Sequence, residues 1–166
     1  MSEELSPPEP LSGGHSIDDF HCGEPSLDDW LRRRARANQV SGASRTYVVC
    51  VQRRVVAFYT LASGAVAIKT AGGRFRRNMP EPIPVAILAR LAVDSAWQGR
   101  GIGRALFRDA ASRVLHAADS IGIRGILVHA ISGEARCFYV ALGFEPSPIE
   151  PLTLMVTLAD VRRALE

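Results

Sequence analysis

The sequence lacks an apolar run long enough to span a membrane, and it has few cysteines. Its longest apolar stretches fall well short of the roughly 20 residues that a transmembrane helix needs. The start Met1-Ser2-Glu3-Glu4 has no resemblance to a secretory signal. The three cysteines are an odd number without metal-ligand spacing, which argues against a disulfide framework and against a zinc site. We therefore expect a cytoplasmic protein that has no membrane partner and holds no metal.

Lysine is nearly absent as well. Lys69 is the only lysine among 20 cationic residues, and the arginines occur in clusters. A net charge of +3 does not by itself indicate a nucleic-acid partner, so the clusters carry more information than the total. The length of 166 residues suits one well-filled domain, residues 1–166. Its first ten residues contain Pro7, Pro8 and Pro10 without any periodicity, so we expect residues 1–10 to be loosely ordered.

The most informative stretch is an apolar segment that leads into a glycine-rich turn and then an amphipathic helix. Ile83–Val93 is almost continuously aliphatic, which predicts a strand buried on both faces. The turn is Gln98-Gly99-Arg100-Gly101-Ile102-Gly103, and apolar residues then recur at helical spacing from Leu106 to Ile121. Glycines let the backbone approach a ligand, and the first N–H groups of a helix face an anion. The stretch therefore favours a phosphate site, with an ordinary strand-to-helix turn as the alternative.

The glycine spacing indicates which phosphate site this is. It lacks the third glycine of a dinucleotide fingerprint and the Gly-Lys-Ser/Thr ending of a P-loop. It matches Gln/Arg-x-x-Gly-x-Gly/Ala and so resembles the acyl-CoA pyrophosphate loop of the GNAT N-acetyltransferase superfamily. The resemblance implies acetyl-CoA as co-substrate and a set of residues that hold it. These are Leu91, Ala92 and Val93 along the pantetheine arm, Gln98, Gly99, Arg100, Gly101, Ile102, Gly103 and Arg104 at the pyrophosphate, and Ser132.

The remaining pattern predicts β-hairpins followed by alternating strands and helices. The expected elements are a helix from Leu27 to about Gln39 capped by Ser26, strands Thr46–Val51 and Val55–Ala62, a basic loop Lys69–Pro82, a strand Gly125–Ala130, a helix Gly133–Leu142 capped by Ser132 and ended by Gly143, a strand Leu152–Leu158 and a helix Ala159–Glu166. The resemblance implies the GNAT fold, an α/β (α+β) arrangement. Its mixed central sheet has about six to seven strands, is flanked by about four helices and is split between the fourth and fifth strands.

A second motif supplies a candidate catalytic residue. The segment Phe138-Tyr139-Val140-Ala141-Leu142-Gly143-Phe144 resembles the Phe-Tyr-x-x-Leu-Gly-Phe segment that closes the cofactor cleft of GNAT enzymes. There the tyrosine hydroxyl lies near the thioester sulfur, which implies that Tyr139 is the general acid for the leaving thiolate. A backbone N–H near Leu91 would polarise the thioester carbonyl. The alternative for Tyr139 is an ordinary packed aromatic.

The sequence shows no evident general base. His129 lies on an apolar strand and is expected to be a satisfied core histidine, whereas Glu134 begins a helix, where its interaction with the helix dipole explains it. A lysine amine has a pKa near 10.4 and is protonated at neutral pH, whereas an α-amino group has a pKa of about 7.7–8.0. Esterification of the amino acid lowers that value further. An aminoacyl ester therefore needs no strong base in the enzyme.

The wider sequence resembles one branch of the superfamily. Phe20-His21-Cys22-Gly23, Leu27-Asp28-Asp29-Trp30-Leu31 and Arg77-Asn78-Met79-Pro80 look like the tRNA-acetylating GNAT toxins of type II toxin–antitoxin modules, the TacT-like group, and the likeness extends from about Pro10 to Val161. The branch implies acetylation of the α-amine of aminoacyl-tRNA, a block of translation, a homodimer, and a ribbon-helix-helix antitoxin that brings operator DNA to the complex. The candidate nucleic-acid contacts are Arg33, Arg36, Lys69, Arg74, Arg76, Arg77 and Arg90.

Two other functions stay open at this point. One is a GNAT enzyme that acetylates a small-molecule amine or a protein amine, which would leave Arg74, Arg76 and Arg77 without a role. The other is a non-catalytic acyl-CoA-binding module or an antitoxin-controlled DNA corepressor. For each arginine cluster the alternative is a solvated surface.

Overall fold

A computed structural model of the protein describes residues 4–166, and residues 1–3 lie outside the described part. Seven strands hydrogen bond in the order β1-β2-β3-β4-β5-β7-β6. Their bounds are β1 Glu9–Pro10, β2 Arg45–Val51, β3 Arg54–Val66, β4 Ile83–Val93, β5 Gly125–His129, β6 Glu145–Pro146 and β7 Thr153–Thr157. Neighbouring strands in the pairs β1–β2, β2–β3, β5–β7 and β6–β7 are antiparallel, and β4 and β5 are parallel, so the sheet is mixed.

Six α-helices and two short 3₁₀ turns lie within residues 4–166. The helices are α1 Pro25–Arg33, α2 Ala35–Ser41, α3 Gly73–Arg76, α4 Ile102–Ala117, α5 Gly133–Ala141 and α6 Leu158–Leu165, and the 3₁₀ turns are Ile68–Thr70 and Ser95–Trp97. In the described residues no helix has the length and apolar character that crossing a membrane would require. The structure has two more helices than the four predicted, because the first predicted helix is divided into α1 and α2 and because the predicted basic loop contains the four-residue α3.

The chain forms two compact units, each with its own apolar core. The first contains the residues up to Ala62 together with Ala89–Ala110. Its core packs the faces of α1 and α2 against β2 and β3, where the rings of Phe20 and Phe58 meet edge to face at 5.3 Å. The second contains Ser63–Leu88 and Ala111–Glu166, and its core lies around Phe75, Ile83, Val85, Leu127 and Met155.

The pairing of β4 with β5 is short. Val85, Ala86 and Ile87 pair with Gly125, Ile126 and Leu127, whereas β4 itself continues to Val93. The residues of β4 beyond Ile87 therefore carry no β5 partner in the described part of the chain. The early end of this pairing corresponds to the predicted split between the fourth and fifth strands. The fold class predicted from the sequence is confirmed.

Two local predictions differ from the structure. Helix α1 begins at Pro25, and Glu24 occupies its N-cap position without a side-chain hydrogen bond, so Ser26 lies inside the helix and does not cap it. Proline suits the first helical position because it has a suitable φ and no N–H to leave unpaired. The segment expected to be loosely ordered joins the sheet instead. Leu5 bridges to Val51, and β1 pairs with β2. Proline is compatible with such an edge position because its missing N–H faces away from the ladder.

Candidate active site

The C-terminal end of β4 and the turn after it provide the predicted cofactor residues of the first unit. Ala92 is buried in that unit's core, whereas Leu91 and Val93 are half-buried. Asp94 follows and caps the turn Ser95–Trp97 by accepting a hydrogen bond from the N–H of Ala96 at 3.0 Å. No residue of β5 pairs with Leu91 or Val93 in the described part of the chain, so an extended ligand arm can pair with the backbone here, except at the Val93 carbonyl, which accepts from Gln98.

Gln98 links this turn to two other segments. Its side-chain amide donates to the carbonyl of Cys22 at 2.8 Å and to the carbonyl of Val93 at 2.9 Å. The N–H of His21 in turn donates to the carboxylate of Asp94 at 3.1 Å. The amide nitrogen of Gln98 is therefore committed to bracing the end of β4, although the sequence motif marks this residue as a cofactor contact.

The glycine turn has the geometry that close approach of a phosphate requires. Gly99 and Gly101 have φ angles of +78° and +79°, a region that side chains other than glycine rarely adopt. A Cβ atom at either position would meet no atom within 4 Å, so both glycines face open space. Helix α4 begins directly afterwards at Ile102, and its first N–H groups have no partner within the helix. Such groups are suited to an anion such as pyrophosphate.

The charged residues of the turn lie at its rim. The guanidinium of Arg100 stacks on the ring of buried Trp97 at 4.5 Å, which fixes the side chain beside the glycines. Arg104 is exposed on the first turn of α4, and Gly103 is half-buried. The residues that the sequence assigns to the pyrophosphate are thus brought together within the first unit.

Tyr139 lies in the second unit, on α5. Ser132 caps this helix by accepting a hydrogen bond from the N–H of Ala135 at 3.1 Å, as the sequence predicts. Tyr139 is 8 % exposed and packs edge to face against Phe138 at 5.2 Å and Phe144 at 5.4 Å. Burial raises the pKa of its hydroxyl to about 12. The hydroxyl therefore stays protonated at neutral pH, and residues 4–166 offer it no hydrogen-bond partner, so its proton is available to a substrate.

The two residues considered as bases have structural explanations. His129 is exposed at the end of β5, so the expectation of a core histidine is wrong, and its Nδ1 lies 3.1 Å from the hydroxyl of Thr153. Glu134 is exposed in the first turn of α5, where a negative charge stabilises the helix. The contacts of His129 and Glu134 are therefore explained by the structure and do not indicate a general base.

The predicted nucleic-acid residues of the first unit are used in different ways. Arg33 is exposed on α1. Arg36 donates to the carbonyls of Ser12 and His15, so its guanidinium holds the segment before α1. Arg90 is half-buried with its guanidinium 4.9 Å from the centre of the Trp30 ring, and this burial lowers its pKa. The contact between Trp30 and Arg90 could not be predicted from the sequence, because the two residues lie far apart in the chain.

The predicted residues of the second unit lie on or near α3. Lys69, Arg76 and Arg77 are exposed. Arg74 is paired with Asp160 through two hydrogen bonds, from Nε at 2.9 Å and from Nη2 at 2.7 Å. These bonds hold the pKa of the Asp160 carboxyl below its usual value. The pair is 86 residues apart in the chain, so sequence spacing could not reveal it.

One cluster has the residue types of a metal site. Glu9, His15 and Cys50 place their side-chain ligand atoms within 4.8 Å of one another. However, Nδ1 of His15 accepts the N–H of Ser12 at 3.0 Å, which puts the imidazole proton on Nε2. Nε2 lies 2.7 Å from the Glu9 carboxylate and donates to it. A metal ion bound at Nε2 would displace this proton, and Nδ1 could not take it up because it already accepts the N–H of Ser12. The cluster therefore fits a hydrogen-bonded contact between Glu9 and His15 better than a metal site.

Comparisons with known proteins agree with these features. The family described as acetyltransferase (GNAT) domain matches residues 42–146. A tRNA-acetylating toxin of Mycobacterium tuberculosis is 57% identical over 157 residues, covering 95% of each chain. AtaT complexed with acetyl-methionyl-tRNAfMet is a structural neighbour with a TM-score of 0.89 and 26% identity, covering 98% of this chain and 100% of that one.

A further solved structure contains the co-substrate. It is a tyrosine-to-phenylalanine mutant of the toxin AtaT bound to the C-terminus of the antitoxin AtaR and to acetyl-CoA, with a TM-score of 0.83 and 27% identity over 96% of this chain and 97% of that one. The family match spans well over half of the sequence and includes the glycine turn and the Tyr139 motif. The chain belongs to the GNAT acetyltransferase family, in the group of the tRNA-acetylating toxin of M. tuberculosis.

Proposed function

We propose that this protein is an N-acetyltransferase toxin that moves the acetyl group of acetyl-CoA to the α-amino group of aminoacyl-tRNA. An acetylated α-amine cannot form a peptide bond, so the product blocks translation. The observation that carries the proposal is the 57% identity to a tRNA-acetylating toxin over almost the whole of both chains. The described residues support it, because Tyr139 is a protonated phenol and neither His129 nor Glu134 is placed as a general base, which an amine that is already largely neutral does not need.

The reaction assigns a role to each half of the site. The acceptor nitrogen forms a bond to the thioester carbonyl carbon, the carbon–sulfur bond breaks, and the amine proton leaves to water. The backbone N–H at Leu91 polarises the carbonyl, and the hydroxyl of Tyr139 donates to the sulfur as negative charge develops there. The raised pKa of Tyr139 serves this role, because the donor must hold its proton at the working pH.

The residues proposed to bind acetyl-CoA are those of the β4 end, the glycine turn and the α5 cap. The backbone of Leu91–Val93 pairs with the pantetheine arm, and the N–H groups from Gly99 to Arg104 surround the pyrophosphate. The open space at Gly99 and Gly101 supports this assignment. Gln98 acts through its bonds to Cys22 and Val93, and the hydroxyl of Ser132 can still donate while it caps α5.

The partners are part of the same proposal. The exposed cations bind the RNA backbone, a ribbon-helix-helix antitoxin neutralises the enzyme and joins it to operator DNA, and the enzyme is a cytoplasmic homodimer without a membrane partner or a metal. We also propose that residues 1–166 act as one acetyltransferase domain. The structural neighbours bound to acetylated tRNA and to an antitoxin C-terminus support the choice of partners.

The decisive experiment uses labelled acetyl-CoA with total aminoacyl-tRNA, and uncharged tRNA serves as the matched control. We expect label on the charged pool alone, released together with the amino acid by mild base that hydrolyses the ester. If neither pool is labelled while acetyl-CoA binds, the tRNA function is wrong. Transfer to free amines or to protein amines in that case would favour the small-amine or protein-amine enzyme.

A further inference from the structure

The side chain of Arg124, just before β5, is hydrogen bonded to backbone carbonyls of the arginine segment Arg74–Arg77. Its Nε donates to the carbonyl of Phe75 at 2.9 Å, and its Nη2 donates to the carbonyl of Arg74 at 2.9 Å. A guanidinium has five N–H groups in a planar arrangement, so three remain after these two bonds. The backbone of Arg124 is fixed as well, because its N–H donates to Pro84 and its carbonyl accepts from Leu158.

Two further contacts keep the segment in place. Phe75 is 4 % exposed, and a Cβ atom on Gly125 would lie 2.6 Å from its ring, so the ring rests directly on that glycine. Arg74 is held by its two hydrogen bonds to Asp160. The segment is therefore ordered before any ligand arrives, which lowers the entropic cost of binding.

The same residues line a small cavity with a surplus of positive charge. Its volume is about 150 Å³, and its lining is Arg74, Arg77, Arg124, Thr157 and Ala159. Three of these five residues carry a guanidinium and none carries a carboxylate. Asp160 offsets the charge of Arg74 from beside the cavity, whereas Arg77 is exposed and has no hydrogen bond or ion pair within residues 4–166. Planar guanidinium groups match the oxygens of a phosphate.

We propose that this cavity binds one phosphate of the RNA substrate, with Arg77 and Arg124 as its principal donors. This inference rests on the proposed function, since it names a contact of the same substrate. It adds Arg124 to the binding residues, and it separates Arg77, which lines the cavity, from Arg76, which does not. Acetyl-CoA also carries phosphate esters, so the experiment must distinguish the two sources.

The test compares Arg77→Gln and Arg124→Gln with Arg162→Gln, an exposed arginine of α6 that does not line the cavity. The dissociation constant for uncharged tRNA is measured by fluorescence anisotropy over a range of salt, and that for acetyl-CoA by calorimetry. Loss of one phosphate contact reduces the salt slope by about 0.9, which corresponds to roughly an eightfold weaker complex at 0.1 M salt. We expect that change for the two cavity variants, a change of less than about twofold for the control, and unaltered acetyl-CoA affinity.

Arg77→Gln keeps the test valid if Arg124→Gln unfolds, because the Arg77 side chain makes no hydrogen bond or ion pair with residues 4–166. Wild-type affinity for tRNA in Arg77→Gln overturns the proposal, and so does an equal loss in the Arg162→Gln control. A loss of acetyl-CoA affinity with tRNA affinity intact assigns the cavity to the co-substrate and also overturns it. Because uncharged tRNA has no acceptor amine, binding is measured apart from acetylation. If the cavity variants bind tRNA as tightly as wild type while the enzyme still acetylates charged tRNA, the cavity proposal is wrong and the proposed function is unaffected.

Discussion

Replacement of Tyr139 by phenylalanine removes one hydroxyl and keeps the ring. The ring packs against Phe138 and Phe144, and the hydroxyl has no hydrogen-bond partner within residues 4–166. The Tyr139 oxygen is not among the buried polar atoms that lack a partner, so water can reach it, and we expect its removal to leave the free energy of unfolding at pH 7 about unchanged. The acetyl-CoA affinity should also be retained. Any loss of activity then reports on chemistry.

The pKa sets the size of that loss. At about 12 it lies well above the value of about 8.5 for an ordinary thiol, so complete proton transfer from Tyr139 to the sulfur is uphill by roughly 5 kcal/mol. The phenol must then act mainly as a hydrogen-bond donor to the developing thiolate. A hydrogen bond to a charged group contributes about 1.5–3 kcal/mol, which corresponds to a loss of roughly 10- to 150-fold in the rate of transfer. Only the upper end of this estimate reaches the range usual for general acid catalysis, about 10² to 10⁴, as expected for a donor that does not transfer its proton completely.

Single-turnover transfer from labelled acetyl-CoA to aminoacyl-tRNA measures this rate without interference from product release. The rate of the wild-type enzyme should rise as the acceptor amine loses its proton, and it should not fall again through ionisation of Tyr139 until the pH approaches 12. The rate is expected to fall only above this pKa, because the hydroxyl of Tyr139 stays protonated, and can donate, at any pH below it. A phenylalanine variant within about threefold of wild type refutes the donor role, since even a weak charged hydrogen bond exceeds that factor.

Two other predictions concern packing and thiol chemistry. Gly125→Ala places a Cβ 2.1 Å from the carbonyl oxygen of Val156, so urea unfolding should show a loss of about 1–3 kcal/mol or more, whereas Gly122→Ala, with open space around it, serves as the control. Burial raises the pKa of Cys22 to about 12 and that of Cys50 to about 11, whereas Cys137 is exposed. Iodoacetamide at pH 8 should therefore modify Cys137 first, as mass spectrometry of the native protein would show, and rapid modification of Cys50 would contradict its burial.

The family and the fold class could be predicted because their signals are local. The alternation from an apolar strand to glycines and an amphipathic helix is set by residues that are neighbours in the chain, and β4, the turn and α4 follow it. Helix α5 begins after its predicted cap Ser132 and is followed by Gly143 with a φ of +103°, because capping also depends on a few adjacent residues. The approximate bounds of β2 and β5 were accessible for the same reason.

Contacts between distant residues were not accessible in this way. The β1 segment looks unstructured in isolation and becomes ordered only because β2 offers it an unpaired edge. The roles of Arg36 and Arg124 depend on backbone carbonyls that folding brings within reach. A cluster of arginines in a sequence therefore shows where positive charge is concentrated, but not which guanidinium groups are already committed.

This distinction has a measurable consequence for RNA binding. Seven cations predicted from the sequence, each neutralising one phosphate, would give a salt slope of about −6. Arg36, like Arg124, donates to two backbone carbonyls, but unlike Arg124 it does not line the cationic cavity. Arg74 is offset by Asp160, and Arg90 is stacked on Trp30 and half-buried. The cations that remain, together with the newly assigned one, are Arg33, Lys69, Arg76, Arg77 and Arg124. Five contacts give a slope of about −4.5, and a measured slope for uncharged tRNA of −6 or steeper would mean that the internal pairs open when RNA binds.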